Sequence, residues 1–202
     1  MAKRATTEVV FSTRDFALLQ NTSLSAASHH LRVLEKRGET VRITRGIWAN
    51  PHHPHFTLMA CVSFLLGQEQ GYVSFLTALH RHGMISQIPP VIQVATTGHS
   101  RKLETSIGRF EFFQLKPSMM LPGVEWSDSH IPYRMASLEK ALMDTFYIAT
   151  RKGRRFIKLP EMHLEFNRKK LLKLIKEQRF ALPMRQAILR RIQNATTHEA
   201  IT

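Results

Sequence analysis

The stretch Leu24-Ser-Ala-Ala-Ser-His-His-Leu-Arg-Val-Leu-Glu-Lys36, followed by Arg37-Gly38 and then by Thr40-Val-Arg-Ile43 and Ile47-Trp-Ala49, decides how the first quarter of this chain folds. At about 100° per residue, Leu24, Ala27, Leu31 and Leu34 fall on one side, which predicts an amphipathic helix from Leu24 to about Arg37. Gly38 stands where a left-handed C-cap belongs. Ser25, His29, Arg32 and Lys36 fall on the opposite side, while the one carboxylate, Glu35, falls toward the buried edge. The two short β-branched runs beyond, joined at Thr44, Arg45 and Gly46, predict a hairpin.

Upstream, Val9-Val-Phe11 is a short strand-like run. Ser12 with Asp15 has the form of a capping box, and Phe16, Leu18 and Leu19 give an apolar stripe to about Gln20. Asn21-Thr-Ser23 then makes a turn. Short polar groups, an imidazole and cations on one exposed helix face suit the major groove of double-stranded DNA, where they can reach base edges and phosphates. The candidate DNA-binding residues are therefore Ser25, His29, Arg32 and Lys36 on the helix and Arg42, Thr44 and Arg45 on a hairpin acting as a wing. The apolar segment Phe56 to Leu66 is expected to supply the third helix of the core.

The 202 residues, 43% of them hydrophobic, can bury a real core, and a net charge of +14 attracts polyanions. That charge is uneven. Residues 1–50 hold eight Lys/Arg against four Asp/Glu, residues 51–150 seven against seven, and residues 151–202 fourteen against four. No apolar run approaches the length of a membrane span and no signal peptide is evident, so a cytoplasmic protein without a membrane partner is expected. The single cysteine, Cys61, excludes an internal disulfide and a thiolate-rich zinc site, and its apolar neighbours mark it as a core residue.

Pro51 and Pro54 mark a boundary, giving a winged helix-turn-helix domain over 1–50 and a second domain over 56–202. His52, His53 and His55 lie in that Pro-broken loop, where adjacent positions do not set a tetrahedral site, and they read as solvated. Phe75 to His82 reads as a short helix with Ser74 as N-cap and Gly83 as stop, His80 and His82 lying on its surface. Val91–Thr97, Arg101–Thr105 and Arg109–Leu115 read as strands, with another in His130–Met135. Ser137 caps a helix carrying Leu138, Ala141, Leu142, Thr145 and Phe146. The fold class is α+β: an N-terminal winged helix-turn-helix, then an α+β C-terminal domain with a basic helical tail.

Glu139 and Asp144 are the most enzyme-like pair, since clustered carboxylates can hold Mg²⁺ in a nuclease. Five residues apart on a helix, they diverge by about 140°. The chain has no phosphate-binding glycine loop, no G-x-S-x-G and no His-Glu zinc motif. Catalysis, a metal and a cofactor are therefore not expected. In the tail, Leu171, Leu172, Leu174 and Ile175 oppose Lys169, Lys173 and Lys176, which predicts a docked helix with a cationic outer face. An RNA- or acidic-protein-binding role for that face is the alternative to a role in DNA binding or catalysis.

Four strings, Leu31-Arg-Val-Leu34-Glu-Lys-Arg-Gly38, Arg45-Gly46-Ile47-Trp48-Ala49, Tyr72-Val-Ser74 with Ala78-Leu79 and His82-Gly83, and Ser137-Leu-Glu139-Lys140-Ala-Leu-Met-Asp144, resemble the AbiEi family of antitoxins from type IV toxin–antitoxin systems. The likeness spans roughly residues 10–150. It implies a winged helix that represses the antitoxin–toxin operon through a repeated or palindromic operator. It also implies a C-terminal domain, here with its basic surface at Lys169, Lys173 and Lys176, that opposes a nucleotidyltransferase-like toxin without requiring a stable complex. No catalytic residues come with the family.

Overall fold

The computed structural model describes residues 8–152 and 166–197, with side chains described to Asn194, and it is α+β. Strand β1 (Val10–Ser12) leads into α1 (Thr13–Leu19), whose start is fixed by a reciprocal box: the Asp15 amide donates to Ser12 Oγ and the Ser12 amide to the Asp15 carboxylate, both at 3.0 Å. After a turn, α2 (Leu24–Lys36) begins at the Ser23 cap and ends before Gly38, whose φ of +74° an L side chain would resist. Strands β2 (Val41–Thr44) and β3 (Ile47–Ala49) form the hairpin, so Thr44 lies in a strand and the turn narrows to Arg45-Gly46. The three strands make an antiparallel sheet in the order β1-β3-β2.

A second, mixed sheet has the order β6-β7-β5-β4-β9-β8, from β4 (Gly71–Val73), β5 (Ile92–Thr96), β6 (Arg101–Thr105), β7 (Gly108–Gln114), β8 (Val124–Trp126) and β9 (Arg134–Ala136). Tyr72-Val, which the sequence does not mark as a strand, belongs to β4 just ahead of the Ser74 cap, and β8 carries no apolar run that would announce it. Of the strand expected over His130–Met135, only Arg134 and Met135 fall in β9, which runs on to Ala136. Side chains alternate across this sheet, as the period of two requires. Tyr72, Ala95 and Phe113 lie in register toward one core, and Val73, Val94 and Phe112 toward another.

The first core is covered by α4 (Phe75–Arg81), α5 (Leu138–Lys152), α6 (Arg168–Glu177) and α7 (Leu182–Thr197), through residues such as Leu79, Phe146, Leu174 and Ile188. The second is closed by α3 (Val62–Leu66), its preceding 3-10 turn Leu58–Cys61, and the back of the three-stranded sheet. Val9, Val10, Ile43 and Ala49 are thus buried together with Val94, Phe110 and Phe112. The segment Phe56 to Leu66 therefore does not complete a helical trio with α1 and α2. Their own cluster is Phe11, Phe16, Ala17, Ala27, Leu31, Leu34 and Trp48, and Cys61, Val62 and Leu66 are held behind the sheet instead. No helix among the described residues is long and apolar enough to cross a membrane.

Candidate nucleic-acid interface

Helix α2 is seated by Ala27, Leu31 and Leu34, each 2% exposed or less, against Phe11, Phe16 and Trp48. That orientation turns Ser25, His29, Arg32 and Lys36 into solvent together, as their spacing predicts. None of these four side chains has a hydrogen-bond or ion-pair partner among the described residues. Lys36 lies in the last turn, where a cation offsets the helix dipole. Two positions depart from the expected wheel. Glu35 is exposed rather than at the buried edge, and Leu24 is 52% exposed rather than in the core, because as the first residue after the Ser23 cap it projects beyond the apolar cluster.

The hairpin is braced against α1. The Thr13 amide donates to the Gly46 carbonyl at 2.8 Å, and Trp48 Nε1 donates to Thr13 Oγ1 at 2.9 Å. Arg42 lies with its guanidinium carbon 6.0 Å from the Trp48 ring centre, and its Nε donates to the Thr44 carbonyl at 3.4 Å. Its own carbonyl accepts from Ser106 Oγ at 2.9 Å, which ties the hairpin to the β6–β7 turn. Arg45 is exposed and Thr44 half-buried. Between helix and hairpin opens a notch of about 360 Å³, walled by Leu24, Ser28 and Arg32 on one side and by Arg42 and Arg45 on the other, with Thr13 and Trp48 also lining it. Three guanidiniums and no carboxylate line it, so its charge favours an anion or an electron-rich edge.

Helix α6 buries Leu171, Leu174 and Ile175, leaving Lys169, Lys173 and Lys176 exposed, while Leu172, expected on the apolar side, is 43% exposed. Lys173 is 3.9 Å from Glu177, and Lys170 pairs with Glu139 at 3.1 Å. Because α6 covers the face of the six-stranded sheet opposite the three-stranded one, the tail lysines and the α2 face belong to separate cationic surfaces.

Asp144 is fully buried. One of its oxygens accepts from Tyr72 Oη at 2.9 Å and Ser74 Oγ at 2.8 Å, and the other pairs with the equally buried Lys140. Burial pushes the Asp144 carboxyl up and the Lys140 ammonium down, and their mutual attraction opposes both shifts. Ser74 precedes α4, but its hydroxyl serves Asp144 and makes no cap bond. Glu139 is 6% exposed; burial pushes its carboxyl up, but its own backbone amide, followed by Lys170 and the Asn167 amide, holds it below the usual range. Neither carboxylate is presented to a substrate.

Burial pushes the Cys61 thiol up to about 12, far from a reactive thiolate. His52 contacts the Gly38 carbonyl at 2.8 Å, and His55 stacks on His130 with ring centres 3.7 Å apart. The described residues contain no group of three or more His, Cys, Asp or Glu that could hold a metal. His80 is half-buried on the Ile85 carbonyl rather than fully on the surface, whereas His82 is exposed.

No family model matches the chain, and no curated protein matches it. A solved structure of the antibiotic-resistance factor ANT(2'')-Ia is similar over 71% of this chain and 92% of that one, at 11% identity and a TM-score of 0.32. So distant a likeness carries no argument about fold or function.

The sequence-derived positions are thus divided between two surfaces, with Ser25, His29, Arg32, Lys36, Arg42, Thr44 and Arg45 around one helix–hairpin unit. Leu24 and Ser28 were missed there. The signal available was the succession Leu24, Ser28, Arg32 at steps of four, which places all three on one line along α2. Lys140 was missed at Asp144, although its own spacing of four was visible.

Proposed function

We propose that the first fifty residues form a winged helix-turn-helix that binds double-stranded operator DNA, with α2 in the major groove and the β2–β3 hairpin as the wing. The observation that supports this most is the α2 face, on which Ser25, His29, Arg32 and Lys36 are exposed and unpaired beside Arg42 and Arg45. An ordinary solvated helix face more often pairs its cations with carboxylates three or four residues away. Following the family resemblance, the protein represses its own operon in the cytoplasm. It also acts as the antitoxin of a type IV system against a nucleotidyltransferase-like toxin, through the surface of Lys169, Lys173 and Lys176. It has no catalytic function of its own, in keeping with the burial of Asp144 and Glu139.

The test is selection from randomised duplexes by the full chain, followed by titration of the winning site and of random DNA with the parent and Arg32→Ala. Arg32→Ala should cost about 1–3 kcal/mol on the selected site and much less on random DNA. Equal losses on both would move Arg32 from base reader to phosphate contact, and failure to enrich any duplex would end the DNA-binding reading. The antitoxin role is tested separately, by co-expressing the full chain with nucleotidyltransferase-like toxins of type IV systems and scoring rescue of growth. Changing Lys169, Lys173 and Lys176 to Glu should weaken rescue while leaving operator binding largely intact.

A further inference from the structure

Leu24 is an anomaly in a cationic notch. It is a large apolar side chain, 52% exposed, at the first position of α2. Other exposed apolar residues such as Leu18 and Ile88 stand outside this cavity, whereas Leu24 shares it with Arg32, Arg42 and Arg45. Ser28 and Arg32 follow at spacings of four, so the helix side of the notch presents an alkyl group, a hydroxyl and a guanidinium in a row. The hydroxyl of Ser28 has no partner among the described residues.

A simple phosphate cradle has no use for an isobutyl group, so the notch matches a ligand that joins an apolar patch to hydrogen-bond acceptors and negative charge. In the major groove the thymine 5-methyl supplies the apolar group, next to the O4 acceptor, with phosphates flanking. We infer that this notch is a thymine-reading subsite: the 5-methyl packs on Leu24, O4 accepts from Ser28 Oγ, and Arg42 and Arg45 hold the adjoining phosphates. The inference rests on the reading of α2 as the groove-facing helix and adds to it the base that is read. It also enlarges the reading face, which includes the row Leu24, Ser28 and Arg32 as well as the row through Ser25 and His29.

The test uses the full chain and the duplex obtained by selection. Each thymine of the site is replaced in turn by deoxyuridine, which removes only the methyl group, and affinity is measured by fluorescence anisotropy. One thymine per half-site should prove sensitive, its replacement weakening the parent protein about fourfold, the value expected for one buried methyl. Leu24→Ala should bind the parent duplex more weakly and be indifferent to deoxyuridine at that position. Because Leu24 lies outside the core, this variant should keep the parent circular dichroism and melting temperature. Duplex binding without deoxyuridine sensitivity, or with equal sensitivity in Leu24→Ala, overturns the thymine subsite and leaves the DNA-binding reading standing. No enrichment of any duplex overturns both.

Discussion

Removing the charge of Asp144 should take away much of the protein's margin of stability. The carboxylate is the shared acceptor for Lys140, Tyr72 and Ser74, all buried, and the Lys140 ammonium also lies 5.1 Å from the Tyr72 ring centre. Breaking a buried pair by deleting one partner costs about 3–5 kcal/mol, because the other charge is left uncompensated. That is a large share of the roughly 5–15 kcal/mol that holds a typical protein folded. Asp144→Asn keeps an oxygen acceptor for the two hydroxyls and so isolates the charge. Asp144→Ala additionally strands Ser74 Oγ, at about 1–3 kcal/mol more, whereas Tyr72 keeps the Met119 carbonyl at 3.2 Å. The triple change Lys140→Met, Asp144→Leu, Ser74→Ala removes every stranded group and should recover most of the loss. Urea unfolding followed by circular dichroism reads these as midpoint shifts, on the order of 1–2 M for Asp144→Asn. An unchanged midpoint in Asp144→Asn would refute the reasoning, as would a triple variant less stable than Asp144→Ala. Metal-dependent cleavage or nucleotide transfer by the parent, abolished in a folded Asp144→Asn, would make the residue catalytic instead.

Arg42→Ala and Arg45→Ala should each lower the slope of log affinity against log salt by about one on any duplex, and unchanged slopes would remove the hairpin from the phosphate contacts. Ser12→Ala should cost about 0.5–2 kcal/mol by unsealing α1, measurable as a lower unfolding midpoint; no change would mean that the Thr13–Gly46 bond alone holds that end. Desolvation and then the neighbouring His130 and His53 hold His55 below its ordinary value, so the unfolded chain takes up the proton first. Its part of the stability is therefore complete above about pH 6.5 and is lost as the pH falls further, and an NMR titration showing His55 at or above the ordinary value would contradict this. Deleting residues 1–50 should leave a chain that binds a hydrophobic dye and aggregates, because Val94, Phe110 and Phe112 lose their cover; a monomeric, dye-free product would show that the shared core is dispensable.

The existence of the amphipathic helices was legible from their periodicity, although in α1 only Phe16 of the expected stripe is buried, Leu18 and Leu19 being exposed. The capping box at Ser12, the run of α2 to Gly38, and the strand runs of β5 to β7 between their turns all follow from local sequence. The missed features depend on distant partners. Strand β8 presents exposed Trp126, and three-residue β4 is defined by pairing with β5 and β9, neither of which a local pattern announces. Helix α3 looks like any short apolar segment until Phe110 and Ala49 are found in the same core. At the candidate site, wheel geometry placed the polar face correctly but assigned Leu24 to the core, because periodicity ignores where the neighbouring cluster ends. Likewise the divergence of Glu139 and Asp144 could be read from their spacing, but not the partners that enclose Asp144, since Tyr72 and Ser74 lie some seventy residues away.

The joint between the two sheets has a mechanical consequence. The chain from Asn50 to Phe56 is pinned, with the Asn50 amide on the Val9 carbonyl, His52 on Gly38 and His55 stacked on His130, while Ser106 grips the hairpin from the other side. The helix–hairpin unit is consequently a fixed prong rather than a tethered one. If α2 is the groove-facing helix, as proposed, two copies bound at neighbouring half-sites would have to meet the helical phase of the DNA with their whole bodies, and a base pair inserted between the half-sites would be expected to cost affinity, because these contacts leave the prong little slack to take it up.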